Sequence, residues 1–252
     1  MDHSTEFLPP TYELFYAPRQ RAEHAAIASR RDGRAVHAEM WHSPEGPRLC
    51  VIAVDRPGFL ALVTEALLAQ GVAIRSARAF CQEAAEGRGE VVDLLELRTL
   101  SEPDAAAELD EVSLHEFVQH LSELLVDEPT EPPGSPSREN TTTPRTLRET
   151  TRVYFERGLT PRGRYLLVIE APDSTVLLQA ISRSLFEEHM RITACEIRTI
   201  RGRANNRLEV EPISGGELND GALCDVQFAV LDAVLDALPA LARASRPPPS
   251  QL

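Results

Sequence analysis

Two segments of the chain show the same succession of hydrophobic patterns. In the first, a short apolar run precedes apolar residues at helical spacing, then two alternating runs around a glycine-rich turn, then a second amphipathic stretch. Short apolar runs and alternating runs predict strands, and spacings of three and four residues predict helices. The predicted order is strand, helix, strand, strand, helix, at residues 49–54, 57–70, 72–81, 91–97 and 109–126.

The same order returns 118 residues later, because Asp55 aligns without a gap on Asp173 and apolar positions coincide along both segments. A repeat of this kind indicates two copies of one supersecondary unit. The second copy has predicted elements at residues 165–171, 175–188, 191–200, 207–213 and 222–242. One more strand candidate precedes each copy, at residues 35–41 and 152–156.

Six elements per copy predict an α+β fold of two tandem ferredoxin-like βαββαβ domains, each an antiparallel sheet with its helices on one face. The edge strand of each domain is displaced in sequence. Residues 152–156 follow the last helix of the first copy, so we expect them to complete the first sheet. Residues 35–41 would then complete the second sheet and interlock the domains, with Trp41 buried in either arrangement.

The repeat divides the chain into five regions. The stretch between the copies is rich in Pro, Ser, Thr and Glu and has no aliphatic residue, so it cannot bury enough apolar surface to offset its ordering entropy. The predicted regions are a helical lead-in at 1–34, a first domain at 35–126, a flexible linker at 127–146, a second, degenerate domain at 147–244 and a disordered tail at 245–252.

Charge and composition narrow the function classes. The net charge is −13, which disfavours nucleic acid as a partner because phosphate binding needs a basic face. No apolar run approaches the length of a membrane span, so no membrane partner is expected. The four cysteines form no metal-binding pair, so we predict buried thiols in a reducing cytoplasm, with no metal site and no cofactor.

The loop before the first predicted helix carries a family resemblance. Asp55-Arg56-Pro57-Gly58, an apolar helix, and then a strand opening at Gly71-Val72-Ala73-Ile74 resemble an ACT domain. The tandem arrangement resembles the C-terminal regulatory region of the bifunctional PII uridylyltransferase/uridylyl-removing enzymes, including the lead-in residues Tyr12, Pro18, Arg21, His24 and Ile27.

The catalytic motifs of those enzymes are not found. No Gly-Ser pair is followed by paired aspartates, and no histidine is followed by aspartate anywhere in the chain. Magnesium-dependent nucleotidyl transfer needs such paired carboxylates. The chain is therefore expected to be a non-enzyme that resembles the sensor region alone.

The resemblance implies an amino acid effector at a domain interface, against the strand-to-helix loop. Gly58 has no Cβ and admits a close ligand, the free N–H groups of the helix favour a carboxylate, and Asp55 can accept from an ammonium or cap the helix. The expected ligand-binding residues are Asp55, Arg56, Pro57, Gly58, Phe59, Leu60, Ala73, Ile74 and Arg75.

The second copy departs from this pattern, which predicts a degenerate site. Val176 replaces the loop glycine and would be strained at positive φ, and His189 replaces Gly71. Arg191 stands where the first copy has Ala73. The residues of this degenerate site are Asp173, Ser174, Thr175, Val176 and Arg191.

Two functions remain open at this point. The first is a non-catalytic regulatory protein of nitrogen metabolism that senses an amino acid, with glutamine first by resemblance. The second is an interaction module without ligand that works by sheet pairing or dimerisation with a protein partner or a second copy. The intact loop from Asp55 to Gly58 favours the sensor, whereas Ala73 and Val176 favour the module.

Overall fold

The computed structural model describes residues 10–82, 89–102, 105–126, 150–156 and 163–238. The predicted linker at 127–146, the tail at 245–252 and the first nine residues of the lead-in lie outside the described residues.

The described elements follow the predicted order in both copies. From the N-terminus they are α1 (Pro10–Phe15), α2 (Pro18–Ser29), β1 (Val36–Ser43), β2 (Gly46–Val54), α3 (Phe59–Ala69), β3 (Val72–Gln82), β4 (Glu90–Thr99), β5 (Ala106–Ala107), α4 (Glu111–Val126), β6 (Arg152–Glu156), β7 (Tyr165–Pro172), α5 (Leu177–Glu187), β8 (Met190–Ile200), β9 (Arg203–Pro212) and α6 (Asp220–Ala237). The first copy runs from β1 to α4, and the second from β6 to α6.

The strands of the described residues join one antiparallel sheet in the order β1-β2-β4-β3-β8-β9-β7-β6, with short β5 on β4. The predicted α+β class with an antiparallel sheet is confirmed. The two copies meet where β3 pairs with β8, with Ala77 opposite Ile197 and Phe80 opposite Ala194. We call this junction the seam.

The predicted exchange of edge strands is wrong. β1 pairs with β2 of its own copy along its whole length, and β6 pairs with β7 of its own copy. The turn between β1 and β2 is short, with Ser43 opposite Gly46, so local pairing closes a far smaller loop than pairing with the other copy. Trp41 on β1 is buried, as predicted.

Helices cover both faces of the first copy, which corrects the prediction of one covered face. Val51 belongs to a core with the buried residues of α3, α4, α5 and α6, whereas its neighbour Ile52 belongs to a second core with Tyr12, Tyr16 and Ile27. Alternate residues of a strand point to opposite faces, so α1 and α2 lie on the face opposite the other helices. We call the face under α1 and α2 the outer face.

Three further features concern the cysteines, membrane-spanning helices and metal sites. Cys50, Cys81 and Cys195 are buried free thiols, whereas Cys224 is exposed. Among the described helices, none combines the length and the apolar character needed to cross a membrane. Nor do any three His, Cys, Asp or Glu side chains converge as a metal site in the part of the chain that the structure describes.

Candidate functional site

The loop from Asp55 to Gly58 connects β2 to α3. Gly58 precedes the helix at φ 78°, in the left-handed region that glycine adopts without steric cost. The Asp55 N–H donates to the Gly89 carbonyl at 2.8 Å, which fixes the start of the loop. Arg56 Nη1 donates to the Leu125 carbonyl at 2.8 Å, near the C-terminus of α4. The loop is therefore held by its own copy on two sides.

Its open side faces the second copy. Pairing of β3 with β8 brings α5 and β8 next to α3, and the loop closes over a cavity of about 30 Å³, which we call the first cleft. Its lining comes from the first copy at Asp55, Arg56, Gly58, Phe59, Leu60, Ala79, Cys81, Val91 and Asp93, and from the second copy at Ser182, Met190 and Ile192.

The first cleft contains unsatisfied polar atoms. Asp93 is 1% exposed, and neither of its carboxylate oxygens has a hydrogen-bond partner among the described residues. The Ser182 hydroxyl is buried there without a partner in the same described part of the chain. Burial, and to a lesser extent the nearby charge of Asp55, raise the pKa of Asp93 to about 8. A buried polar group without a partner is costly, so these atoms indicate a place where a polar group can bind.

Burial and a neighbouring charge shift the pKa of Asp55 in opposite directions. Burial raises its pKa, while the guanidinium of Arg191 on β8 lowers it. Arg191 Nη1 lies 3.6 Å from Asp55 Oδ2, beyond hydrogen-bond distance, whereas its Nη2 lies 2.5 Å from Glu211 Oε1. Arg191 is thus bound mainly to Glu211, and the Asp55 carboxylate is only partly compensated.

The Cys81 thiol also lines the first cleft. Its Sγ donates to the Ile192 carbonyl of the second copy at 3.3 Å. Burial, and then the negative charge of Asp55, raise the pKa of Cys81 well above its usual value. Because the thiolate is the reactive form, this cysteine is a poor nucleophile and a structural group.

A second cleft of about 20 Å³ lies at the equivalent place on the other side of the seam, with the copies exchanged. Here the loop at Asp173 faces residues of the first copy, but it is closed by an ion pair. Arg98, which is 4% exposed, binds both carboxylate oxygens of Asp173, with 3.0 Å between Nη2 and Oδ1. Thr199 Oγ1 donates to the same carboxylate at 3.2 Å. Asp173 therefore has a bidentate arginine partner, which Asp55 lacks.

The structure separates the residues expected to form one site. Asp55, Arg56, Gly58, Phe59 and Leu60 line the first cleft, whereas Ala73 and Ile74 line the second, with Asp173, Ser174 and Thr175. Pro57 lines neither cleft, and Arg75 lies on the outer face. Each loop meets the strand of the other copy, so Arg191, expected at the second site, faces Asp55 instead.

Two predictions are wrong: backbone strain at Val176 and open space for a ligand beside Gly58. Val176 has φ −99°, so the strain expected there is absent, while His189 takes the left-handed conformation, at φ 57°, of the glycine it replaces. A Cβ on Gly58 would lie 3.3 Å from Cγ of Phe186 on α5. The space beside Gly58 is therefore filled by an aromatic ring of the second copy rather than left open for a ligand.

Sequence reasoning missed Asp93 and Ser182. Asp93 interrupts the apolar run of β4, and a lone carboxylate inside a buried strand is a signal that could have been used. Ser182 gave no such signal, because a serine on an amphipathic helix is ordinary and only the seam makes it part of the cleft.

Comparisons with known proteins identify no family. No protein-family model matches the sequence, and no curated protein matches it. Among solved structures, a trimeric bacterial microcompartment shell protein PduB is 9% identical with a TM-score of 0.26, covering 86% of this chain and 86% of that one. An aspartate kinase from Synechocystis is 11% identical with a TM-score of 0.19, covering 93% of this chain and 46% of that one. Similarity at this level carries no argument about fold or function.

Proposed function

We propose that this chain is a non-catalytic regulatory protein that binds an amino acid in the first cleft, between its two repeats. The ligand's ammonium group would be held by the carboxylates of Asp55 and Asp93. Its carboxylate would lie against the positive end of the α3 dipole and the guanidinium of Arg191. Helix N-termini and arginine both favour carboxylates, and buried carboxylates favour a cation that restores their charge balance.

One observation carries the proposal. Asp93 is a buried carboxylate with two unpartnered oxygens among the described residues, and it lines the same cavity as Asp55. The equivalent position of the second copy is Asn206, since Val51 pairs with Asp93 and Ile169 with Asn206. The acid is thus specific to the first cleft, which is the cleft whose loop aspartate is left partly uncompensated.

The size of the cleft suggests how binding becomes a signal. A cavity of about 30 Å³ has room for about one or two water molecules. An amino acid is larger, so it enters only when the loop of α3 and helix α5 move apart. Binding would then stabilise a separated arrangement of the two repeats, and a partner that distinguishes the two arrangements would read it.

The family assignment belongs to the same proposal. The two copies are proposed to be ACT-like domains, with glutamine as the first ligand to test and nitrogen metabolism as the setting. What supports this is the arrangement of the loops, each of which faces the neighbouring copy across a shared sheet.

The experiment is a thermal-shift screen of the full chain with the twenty amino acids. A ligand at one hundred times its dissociation constant adds about 2.7 kcal/mol of stability to the folded state. The proposal expects at least one amino acid to raise the melting temperature, and expects Asp93→Asn to lose that response. Asp232→Asn, on an exposed face of α6, is the matched control and keeps the response. No shift with any amino acid contradicts the proposal.

A second function has one specific observation in its favour. The ring of Phe186 packs within 3.3 Å of the position that a Cβ of Gly58 would take, so the seam is closed by apolar contact. A closed seam fits an interaction module that joins its repeats permanently and offers its surface to a protein partner or a second copy. The same screen separates the two, since the module predicts no amino acid response.

A further inference from the structure

A larger cavity lies on the outer face, on the side of the sheet opposite both clefts. It has a volume of about 340 Å³ and follows the seam between β3 and β8, and we call it the outer cleft. Small-molecule sites begin at about 300 Å³, so its size is sufficient for a metabolite. Its charged lining residues are Arg48, Arg75, Arg78, Arg198, Glu96 and Glu196.

The lining carries an excess of positive charge. Arg48 is paired with Glu45 at 2.6 Å, and the other three arginines share two glutamates, so the outer cleft is net positive in a chain whose net charge is −13. Arg78 and Arg198 share Glu196, and Arg78 Nε stays 3.7 Å from it, beyond hydrogen-bond distance. Arg75 lies 3.4 Å from Glu96, which also accepts from Ser76.

Arg78 is held in place by aromatic rings as well as by its ion pair with Glu196. Its guanidinium carbon lies 4.4 Å from the centre of the Phe15 ring and 5.8 Å from that of Tyr16. Stacking on aromatic rings fixes the guanidinium plane and leaves its N–H groups able to bind an anion. Its side chain is 17% exposed, so its charge is partly desolvated and an anion there is attracted strongly.

We propose that the outer cleft is a binding site for a metabolite that carries two adjacent phosphate groups. Arg78 would be the fixed anchor, and the more exposed Arg75 and Arg198 would close on the phosphates from the two sides of the seam. Arginine binds phosphate oxygens in a bidentate manner, and a diphosphate supplies enough negative charge to replace the shared glutamates as the partner of these three groups. The ligand would contact both repeats, independently of amino acid binding in the first cleft.

The test is isothermal titration of inorganic pyrophosphate and of a nucleoside diphosphate into the full chain. Arg78→Met keeps the apolar stem and removes the charge, and it is expected to weaken binding by about tenfold or more. Glu96→Gln is expected to strengthen binding, because it removes a competing acid. Arg183→Met is the matched control, since Arg183 pairs with Glu187 on α5, and it leaves binding unchanged. If only the nucleoside diphosphate binds, the ligand also uses its nucleoside; if both bind, the phosphates suffice.

A double variant tests whether a loss of binding could come from misfolding instead of from lost phosphate contacts. Arg75→Ala together with Arg198→Ala removes exposed side chains and is expected to leave the melting temperature nearly unchanged while weakening pyrophosphate binding. Absence of pyrophosphate and nucleotide binding to the unaltered chain overturns the proposal. Equal binding of a dicarboxylate, or an equal loss in Arg183→Met, also overturns it, because either result describes general attraction of anions.

Discussion

Arg191 reaches across the seam from the second repeat to Asp55 of the first, where its Nη1 lies 3.6 Å from Oδ2, within ion-pair range but beyond hydrogen-bond distance. On the other side of the seam, the corresponding aspartate, Asp173, is bound by both nitrogens of Arg98. The two repeats are thus joined tightly at one loop and loosely at the other. The loose loop is the one that borders the buried, unpartnered Asp93, and this asymmetry underlies the proposed function.

The tight side of the seam is predicted to stabilise the fold. Removing one partner of a buried ion pair leaves an uncompensated charge, so Arg98→Ala is expected to cost about 3 kcal/mol of unfolding free energy. Arg191→Ala, on the loose and more exposed side, is expected to cost about 1 kcal/mol or less. Urea denaturation of both variants measures the difference, and equal losses would show that the two sides are equivalent.

Gly58 is predicted to be needed for packing across the seam. Gly58→Ala combines a left-handed backbone with a contact to Phe186, and it is expected to destabilise more than Gly33→Ala by about 1 kcal/mol. Gly33 is the matched control, because its φ is 77° and no atom lies within 4 Å of an added Cβ. Thermal unfolding compares them. Phe186→Leu in the Gly58→Ala background is expected to recover part of the loss, and no recovery would place the strain elsewhere.

The packing of α1 and α2 on the outer face is predicted to depend on pH through His24. Burial lowers its pKa from 6.5 to about 4, and its Nδ1 lies 2.6 Å from the Tyr12 hydroxyl. The unfolded chain binds a proton more readily than the folded chain, so stability is lost as pH falls from 6.5 towards 4. The slope is at most about 1.4 kcal/mol per pH unit.

Trp41 reports this change, because it is the single tryptophan and its ring lies 4.2 Å from that of His24. Its fluorescence is expected to shift to the red at acidic pH before global unfolding, and His24→Asn is expected to remove the shift. The charge of Glu23 raises the pKa of His24 and the charge of Arg48 lowers it, so neither charge alone explains the lowered pKa. An unchanged shift in the variant contradicts the assignment to His24.

Asp93 is predicted to make stability depend on pH in the opposite direction to His24. Its folded pKa is about 8 against 3.8 for the unfolded carboxyl, so the folded chain retains a proton that the unfolded chain has lost. Stability therefore falls as pH rises from about 4 to 8. Asp93→Asn is expected to flatten this dependence and to be more stable than the unaltered chain at pH 8 and above. Denaturation of both proteins across this range measures it, and parallel curves would be inconsistent with a buried carboxylate.

The sequence predicted the elements of each repeat but not how the repeats meet. The order of strands and helices follows from local hydrophobic period, which is why β6 is found at the predicted residues. Edge-strand pairing was mispredicted because hydropathy says nothing of loop closure, and the short turn after Ser43 decides it. Helix α2 was not assigned to the outer face because it buries only His24 and Ile27 and has little apolar pattern.

The residues of the candidate site, too, could be predicted only in part from the sequence. The loop from Asp55 to Gly58 was recognised from its own residues, since a turn glycine before a helix is a local signal. Its partners Ser182 and Arg191 come from the other repeat, and their approach depends on the register of β3 against β8, which no local pattern encodes. The same register explains why Ala73 and Arg75 lie elsewhere.

The most direct test of the central claim is calorimetric titration of glutamine, and of each amino acid that raises the melting temperature, into the unaltered chain and into Asp93→Asn. The account predicts binding to the unaltered chain that strengthens as pH rises towards 8, because the ammonium group binds the charged form of Asp93. It predicts that Asp93→Asn weakens this binding by about tenfold or more. Binding that is equally strong in Asp93→Asn, or no binding of any amino acid to the unaltered chain, would contradict it.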